Sequence, residues 1–441
     1  MTNEQEPQVI GVRNGKVYPP LIADHLIARK RFYAPDGVEG SLYVYDNVKG
    51  IYINANPLVA LFSAKTLDGR SNKHIAEETI YNLKSKVYLG TVKSLPLNLI
   101  PVKNGLFNIE TMKLEPFSSD YFVTSKLPVN YVEGADCPKF KQFVADVVPK
   151  DGVDLAQEVY GYCLQRDYRH QKAVMLQGEG ENGKSVFLAC LKTFLGTENV
   201  SSVSLQTLSE DRFAKSSLYM KLANIYPDLP QRDITETGDF KALTGGDLIE
   251  TEFKFKNRFR FVNYAKLIFS GNKMPSTNDD SVAFYRRWII IVFPNTFPVG
   301  DPKRDDTILD KITTDAELSG ILNWAIAGLK RLNERKTFTY AKRTDEIRVQ
   351  YDRLSDSVKA FCNERLEYDP LGEITKNDLY FIYEAFCRDT NLMVKPKNIF
   401  GKGIKKNIPE ATAVRKEVGE IYEYLWRGVA LAPPEEDEVE G

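Results

Sequence analysis

Residues 174–185 read Val174-Met175-Leu176-Gln177-Gly178-Glu179-Gly180-Glu181-Asn182-Gly183-Lys184-Ser185, and an apolar stretch from Val186 to Leu195 follows. A short apolar strand thus runs into a glycine-rich loop, and the loop into a helix. Residues 178–185 match G-x-x-x-x-G-K-[ST] in the strand–loop–helix setting that this motif needs. Gly178, Gly180 and Gly183 would let the backbone turn tightly and aim N–H groups at phosphate oxygens. Asn182 and Val186 complete the loop and the start of the helix, whose positive dipole end faces the same anion. Lys184 would reach the β and γ phosphates of a nucleoside triphosphate, and Ser185 would ligate magnesium. An α/β core is the predicted fold class.

The next hundred residues supply partners for such a loop. Leu222-Ala223-Asn224-Ile225-Tyr226 is a second strand, with Asp228 after it. An acid at a strand end beside a phosphate loop is where magnesium is held through water. A single Asp after a strand is also ordinary turn chemistry; its place 44 residues after Lys184 favours the metal. Lys266 to Gly271 forms a third strand ending in Asn272. That amide would orient an attacking water or contact the γ-phosphate, unless it only makes a strand-end turn. Arg286 and Arg287 stand at the mouth of the apolar strand Trp288-Ile289-Ile290-Ile291. A guanidinium there would reach a γ-phosphate held by a neighbouring subunit, or else form a surface ion pair.

The chain has 441 residues, enough for roughly two to four domains. Its 43% hydrophobic and 27% charged residues exclude a disordered or collagen-like chain. With 59 Lys and Arg against 60 Asp and Glu the net charge is −1, so any surface for nucleic acid must be local. Cys137, Cys163, Cys190, Cys362 and Cys387 are scattered, as are the three histidines. That pattern argues against structural zinc and for a reducing, cytoplasmic compartment. The polar start MTNEQEPQVIG does not read as a signal peptide, and no apolar run predicts a membrane span.

Residues 1–130 read as an α+β N-terminal domain, with a hairpin around Asp46–Gly50 and a helix over 72–87. Helical spacing fills 131–169 through Phe140, Phe143, Val144 and Val147, then Leu155, Val159, Tyr160 and Leu164. The α/β core takes 170–335 and closes with helix over 303–333; residues 334–343 form a charged connector. Residues 351–430 predict three helices, the first capped by Ser355 and the second by Thr375, and then a two-stranded ribbon. That is the plan of a winged helix. Between 391 and 429 eight Lys and Arg stand against four Glu. A basic third helix would lie on duplex DNA, or its charges are simply solvated. Residues 431–441 read as an acidic tail without structure.

Together these residues resemble the superfamily 3 helicases, a ring-forming branch of the AAA+ ATPases, and within it the phage/plasmid and poxvirus-type primase-helicases. The resemblance is carried by GEGENGKS at 178–185, ANIYPDLP at 223–230, FKALTGGD at 240–247, KLIFSGNKMP at 266–275 and RRWIIIVFPNTF at 286–297. Outside the core it includes PVKNGLFN at 101–108 and GYCLQ at 161–165. It implies a multidomain α/β protein: an N-terminal accessory domain, a helical collar at 131–169, an AAA+ P-loop ATPase core and a C-terminal winged helix. Lys184 and Ser185 then take the Walker A roles, Asp228 the Walker B role and Asn272 that of the sensor. Arg287 becomes the arginine finger, with Arg286 the next candidate. A channel hairpin falls at about Glu250 to Val262, where Lys254, Lys256 and Arg258 alternate with Phe253, Phe255 and Phe259. Basic and aromatic alternation suits phosphate contact and base stacking; an amphipathic strand pair with outward lysines is the plainer reading. Where many family members carry a second acid after the Walker B Asp, this chain has Leu229, with Asp233, Glu236 and Asp239 nearby.

The implied activity is that of an ATP- and magnesium-dependent replicative DNA helicase of a virus, phage, plasmid or integrated element, acting in the host cytoplasm. It would form a homohexameric ring, move 3′→5′ on single-stranded DNA at a fork, and work beside a primase or polymerase of the same replicon, with no membrane partner. Two other readings stand beside this one. Priming activity would have to fit in about 130 N-terminal residues without clustered cysteines or paired carboxylates. A replication initiator or DNA loader would use ATP only to switch its assembly.

Overall fold

The computed structural model describes residues 10–432 except 14, 36, 39, 68, 88–91, 231, 256, 340–341, 391, 393 and 419–420; Lys256 and the expected acidic tail from 433 on lie outside the described residues. From residue 138 the chain runs α1 (Pro138–Val147), α2 (Val153–Cys163), β1 (Ala173–Gln177), α3 (Lys184–Leu195), β2 (Val200–Ser201), β3 (Ala223–Tyr226) and α4 (Gly238–Gly245). It continues through β4 (Leu248–Glu252), β5 (Arg258–Val262), β6 (Lys266–Gly271), α5 (Val282–Tyr285), β7 (Trp288–Val292) and the long helix α6 (Asp315–Arg335). Strands β2, β3, β6, β1 and β7 lie side by side in that order, and every pair is parallel.

The strands are apolar nearly throughout because both faces of the sheet are covered. Alternate side chains go to two different cores. Val174, Leu176, Ile268, Ile289 and Ile291 point into one, packed with residues of α1, α2, α3 and α6. Ala173, Met175, Leu267, Phe269 and Trp288 point into the other, with residues of α4 and α5. On the first side α2 and α6 approach so closely that a Cβ on Gly161 would sit 2.5 Å from both the Ala325 oxygen and the Leu329 nitrogen. Those are backbone atoms and cannot rotate away. Gly161→Ala is therefore expected to destabilise the chain by about 1–3 kcal/mol, the usual cost of overpacking. A urea midpoint equal to that of wild type would contradict it.

The N-terminal region divides among three cores, the smallest of them Leu95, Leu99, Leu106 and Val123. Ile22, Leu26, Val44, Val59 and Leu83 enclose one of their own. It includes the helix Lys73–Val87, and the Asp46–Gly50 turn joins the strands Tyr43–Asp46 and Ile51–Asn54. The later hairpin, Leu99–Val102 with Gly105–Asn108, instead puts Ile100, Val102 and Phe107 into the first core of the central sheet.

At the other end, α7 (Thr344–Ser355) and α8 (Ser357–Arg365) meet where one helix start was expected. Ser355 ends α7 and caps nothing that follows; Asp356 caps α8, accepting from the Val358 and Lys359 amides. The reason lies in packing. Ile347 and Tyr351 of α7 are buried in the second core of the central sheet, so a boundary at 351 falls inside a helix. Beyond it, β8 (Glu373–Thr375), α9 (Lys376–Asp389), α10 (Lys397–Asn407), β9 (Thr412–Val418) and β10 (Ile421–Arg427) follow. Thr375 caps α9, its hydroxyl accepting from the Asp378 amide at 3.0 Å. The three strands form an antiparallel sheet in the order β8-β10-β9, over a separate core of Phe361, Tyr383, Phe386, Phe400 and Trp426. Among the described residues no helix is long and apolar enough to cross a membrane. All five cysteines are buried thiols.

Candidate nucleotide-binding site

The loop between β1 and α3 lies at the C-terminal edge of the sheet, where open α/β sheets bind ligands. Gly183 enters α3 in a left-handed conformation, φ +85°, and a Cβ there would meet Val147 at 2.6 Å. Asn182 is buried; its amide donates to the Phe293 carbonyl, tying the loop to the end of β7. Gly180 has open space around it and no positive φ, so the protein itself does not demand glycine there. The Lys184 ammonium donates to the carbonyls of Gly178 at 2.6 Å and Glu179 at 2.8 Å and to Asn182 Oδ1 at 2.9 Å. A cation is thus already held inside the ring that phosphate oxygens would fill. Ser185, one residue on, is exposed at the first turn of the helix.

Burial lowers the Lys184 pKa to about 8, while the carboxylates of Asp228 and Glu179 pull it the other way. Below that pH the ammonium is charged in the unliganded chain; above it, a bound polyphosphate must restore a proton. Nucleotide affinity is therefore expected to be level below about pH 8 and to fall above it, by up to about tenfold per unit. Equilibrium binding across that range checks this, and the fall should be missing in Lys184→Ala.

Register places the other candidates. Gln177 pairs with Gly271, and Tyr226 with Phe269, so Asn272 and Asp228 come out at the same edge as the loop. β6 separates β1 from β3, which sets Asn272 between the loop and Asp228. Both side chains are exposed. Leu229 is buried, its amide donating to the Ser270 carbonyl at 2.7 Å, so no acid can serve from that position. Asp239 is held by Lys215 at 2.7 Å. The carboxylate of Glu179, which motif reading passes over as a variable loop position, lies close enough to influence Lys184.

The two arginines lie at the opposite end. Ala173 pairs with Trp288 and donates to the Arg287 carbonyl, which places both arginines at the N-terminal edge. The length of β1, about 13 Å, separates them from their own loop. Arg287 is only 7% exposed; its Nε donates to Thr244 Oγ1 at 2.9 Å and its Nη1 to the Ala283 carbonyl. Arg286 is exposed. Arg287 thus braces α4 against α5 within its own chain, and Arg286 is the exposed member of the pair.

Beside the loop is a cavity of about 650 Å³, lined by Phe143, Val147, Val186, Phe297 and Ile308. Arg304 on its wall is paired with Glu181 of the loop at 2.7 Å. Sequence reading missed this site because it placed helix from residue 303, whereas helix begins at Ile308, and only the fold brings α1 against the segment before it.

Strands β4 and β5 form the expected hairpin, from Leu248↔Val262 to Glu252↔Arg258. Arg258 is paired with Glu250 at 3.1 Å, and Glu252 with Arg212 at 3.0 Å, so Glu252 is engaged elsewhere than with Lys254. Phe253, Phe259 and Phe261 stack along the hairpin. At the tip, Phe255 is 94% exposed with φ +65°, and the Lys254 ammonium lies 5.2 Å from its ring centroid.

Three family models match successive parts of the chain. One, described as D5 N terminal like, covers residues 24–149; a family of unknown function, DUF5906, covers 176–287; and one described as Poxvirus D5 protein-like covers 353–426. The chain resembles the phage and poxvirus-type primase-helicases. Among individual relatives, "Putative helicase L207/L206" of Acanthamoeba polyphaga mimivirus is 26% identical over 45% of this chain and 22% of its own length. "Putative helicase 121R" of Invertebrate iridescent virus 3 is 22% identical over 60% of this chain and 32% of its own. The match thus spans a third or less of these viral proteins. A shorter relative, "Uncharacterized mitochondrial protein ymf21" of Marchantia polymorpha, is 27% identical over 30% of this chain and 83% of its own. Among solved structures, the apo A form of the NrS-1 C-terminal region aligns over 93% of this chain and 99% of its own, with 14% identity and a TM-score of 0.46.

Proposed function

We propose that this chain is an ATP-driven DNA helicase of the superfamily 3, AAA+ type, working in the cytoplasm of a host cell as the motor of a viral, phage or plasmid replicon. One observation carries the reading. Lys184, Asp228 and Asn272 share one edge of the sheet, while Arg286 stands at the other. A single copy therefore holds most of a hydrolytic site plus an arginine that cannot reach it. Copies placed head to tail would complete each site, and a heterologous contact of that kind gives a ring where its rotation closes. Six subunits, 3′→5′ movement and a primase or polymerase of the same replicon belong to the same reading.

The residues fit the ligands. Backbone amides of the loop and Lys184 would take the phosphates, and the adjoining apolar cavity would take the base and sugar. Magnesium, held by Ser185 and through water by Asp228, would supply charge neutralisation at the phosphates. Asn272 is placed to orient an attacking water, and Arg286 of the neighbouring copy to stabilise charge on the transferred group. On this reading residues 131–169 act as a collar and 351–430 as a winged helix. Unwinding of a forked duplex in proportion to ATP hydrolysed is the deciding measurement. ATP hydrolysis that assembles the chain on DNA without unwinding it would favour the loader instead.

The hairpin tip is the proposed contact with DNA. An exposed phenylalanine in a left-handed conformation is unfavourable in water, and such strain is a reason to look for function. Substituting both Lys254→Ala and Phe255→Ala is expected to remove stimulation of hydrolysis by DNA and to abolish unwinding, while basal hydrolysis stays within about twofold, because the nucleotide site is untouched. Full DNA stimulation in that variant would make the hairpin structural.

A further inference from the structure

The C-terminal unit carries a second concave surface. α9, α10 and the β9–β10 hairpin enclose a groove of about 890 Å³. Its wall is aromatic. Tyr422, Tyr424 and Trp426 alternate along β10 and so share one face of the strand. Trp426 is buried at the base, whereas Tyr424 and Tyr422 are 56% and 50% exposed. Ala413, the cross-strand partner of Trp426, and Gly401, beside its ring, keep bulk out of the groove.

The rim is cationic. Lys397, Lys402 and Lys405 contribute from α10 and Lys376 from the first turn of α9, against the carboxylates of Asp378 and Glu423. Asp378 is engaged by the Thr375 hydroxyl at 2.6 Å. The Lys376 ammonium lies 5.8 Å from the Tyr424 ring centroid, and the Arg415 guanidinium 3.7 Å from that of Tyr422. Positive charge therefore stands next to both exposed tyrosine rings.

Spacing says what such a groove accepts. Ring-bearing positions two residues apart on a strand repeat at about 6.6 Å. That is about twice the 3.4 Å rise of stacked bases in a duplex strand. It suits a strand drawn out so that bases lie on side chains instead of on each other. A duplex offers no such faces, and Lys397, Lys402 and Lys405 of α10 line the groove beside the rings.

We propose that this groove binds single-stranded nucleic acid, with bases stacked on Tyr422 and Tyr424 and phosphates held by Lys376, Lys402 and Lys405. The inference deepens the DNA-motor reading, on which it rests for its ligand, and gives the C-terminal unit a single-strand role in place of the duplex role expected from its basic third helix.

The test uses the full chain without nucleotide. Fluorescence polarisation measures its affinity for a labelled thymidine oligonucleotide and for a blunt duplex. Substituting both Tyr422→Ala and Tyr424→Ala is expected to weaken single-strand binding tenfold or more, since each stacked base contributes substantially. Duplex binding and DNA-independent ATP hydrolysis should not move. Substituting both Tyr422→Phe and Tyr424→Phe keeps the ring faces and should keep wild-type affinity. Unchanged single-strand affinity in the alanine pair overturns the proposal. So does an equal loss on duplex, which would make the groove a duplex contact, or an equal loss in the phenylalanine pair, which would assign the binding to the hydroxyls. If the wild-type chain failed to unwind DNA, the motor reading would fall while the groove's affinity remained measurable.

Discussion

Lys184→Ala should reduce ATP hydrolysis by about a thousandfold or more while leaving the fold intact. The size follows from what the ammonium would do: it is the cation that the loop itself would place at the β and γ phosphates, and a cation brought to the transferred group by an arginine finger is worth about 10³–10⁵ in related phosphoryl transfer, so the lysine should matter comparably. Tolerance of the fold follows from its contacts. Lys184 donates to the Gly178 and Glu179 carbonyls and to Asn182, all within the loop, and so joins no strand or helix to another. The shape of the loop depends instead on Gly183 and on the Asn182 bond to the Phe293 carbonyl, both untouched. Circular dichroism and unfolding should match wild type while steady-state hydrolysis disappears. Wild-type turnover in this variant would remove the basis of the proposed function.

Arg286→Ala should bind ATP normally and hydrolyse it about 10³–10⁵ times more slowly, the range for loss of an arginine supplied by a neighbour. The distance argument makes the effect intermolecular, since β1 stands between this arginine and its own loop. Mixing Arg286→Ala with Lys184→Ala chains should therefore restore part of the activity, at interfaces that join an intact loop to an intact arginine. Arg287→Ala should behave differently. It leaves Thr244 and the Ala283 carbonyl without their donor in a buried place, at a cost of about 1–3 kcal/mol. Its signature is a lower unfolding midpoint, with the hydrolysis defect following from that. If Arg286→Ala hydrolyses ATP at the wild-type rate and Arg287→Ala is catalytically dead yet fully stable, the two roles are reversed.

Much of the geometry of the candidate site was legible without a structure. The strand, glycine loop and helix around Lys184 announce themselves because each is encoded locally: apolar β-formers, then residues that tolerate unusual backbone angles, then helix formers. Asp228 and Asn272 could be read because strand ends in a parallel sheet point to one edge, so spacing along the chain stands in for position in space. The hairpin was expected at about Glu250 to Val262 from the resemblance and pairs from Leu248 to Val262, and Thr375 showed as a cap in its local chemistry.

What local pattern could not decide was which of two adjacent, chemically identical residues is buried. Arg286 and Arg287 differ only in which way the chain turns as it enters β7, and that is set by α4, some forty residues earlier, offering Thr244 to one of them. The cap at Asp356 instead of Ser355 has the same origin, because Tyr351 binds α7 to the sheet and moves the start of the next helix. The cavity beside Gly183 joins α1 to residues 297–311, and the tyrosine row of β10 becomes a groove only when α9 and α10 fold across it. The sequence by itself determined the strand, the glycine-rich loop and the helix around Lys184, since those depend on neighbours along the chain. Tertiary structure alone decided which side chains are withdrawn into the core and which remain to meet a ligand, since burial depends on neighbours in space.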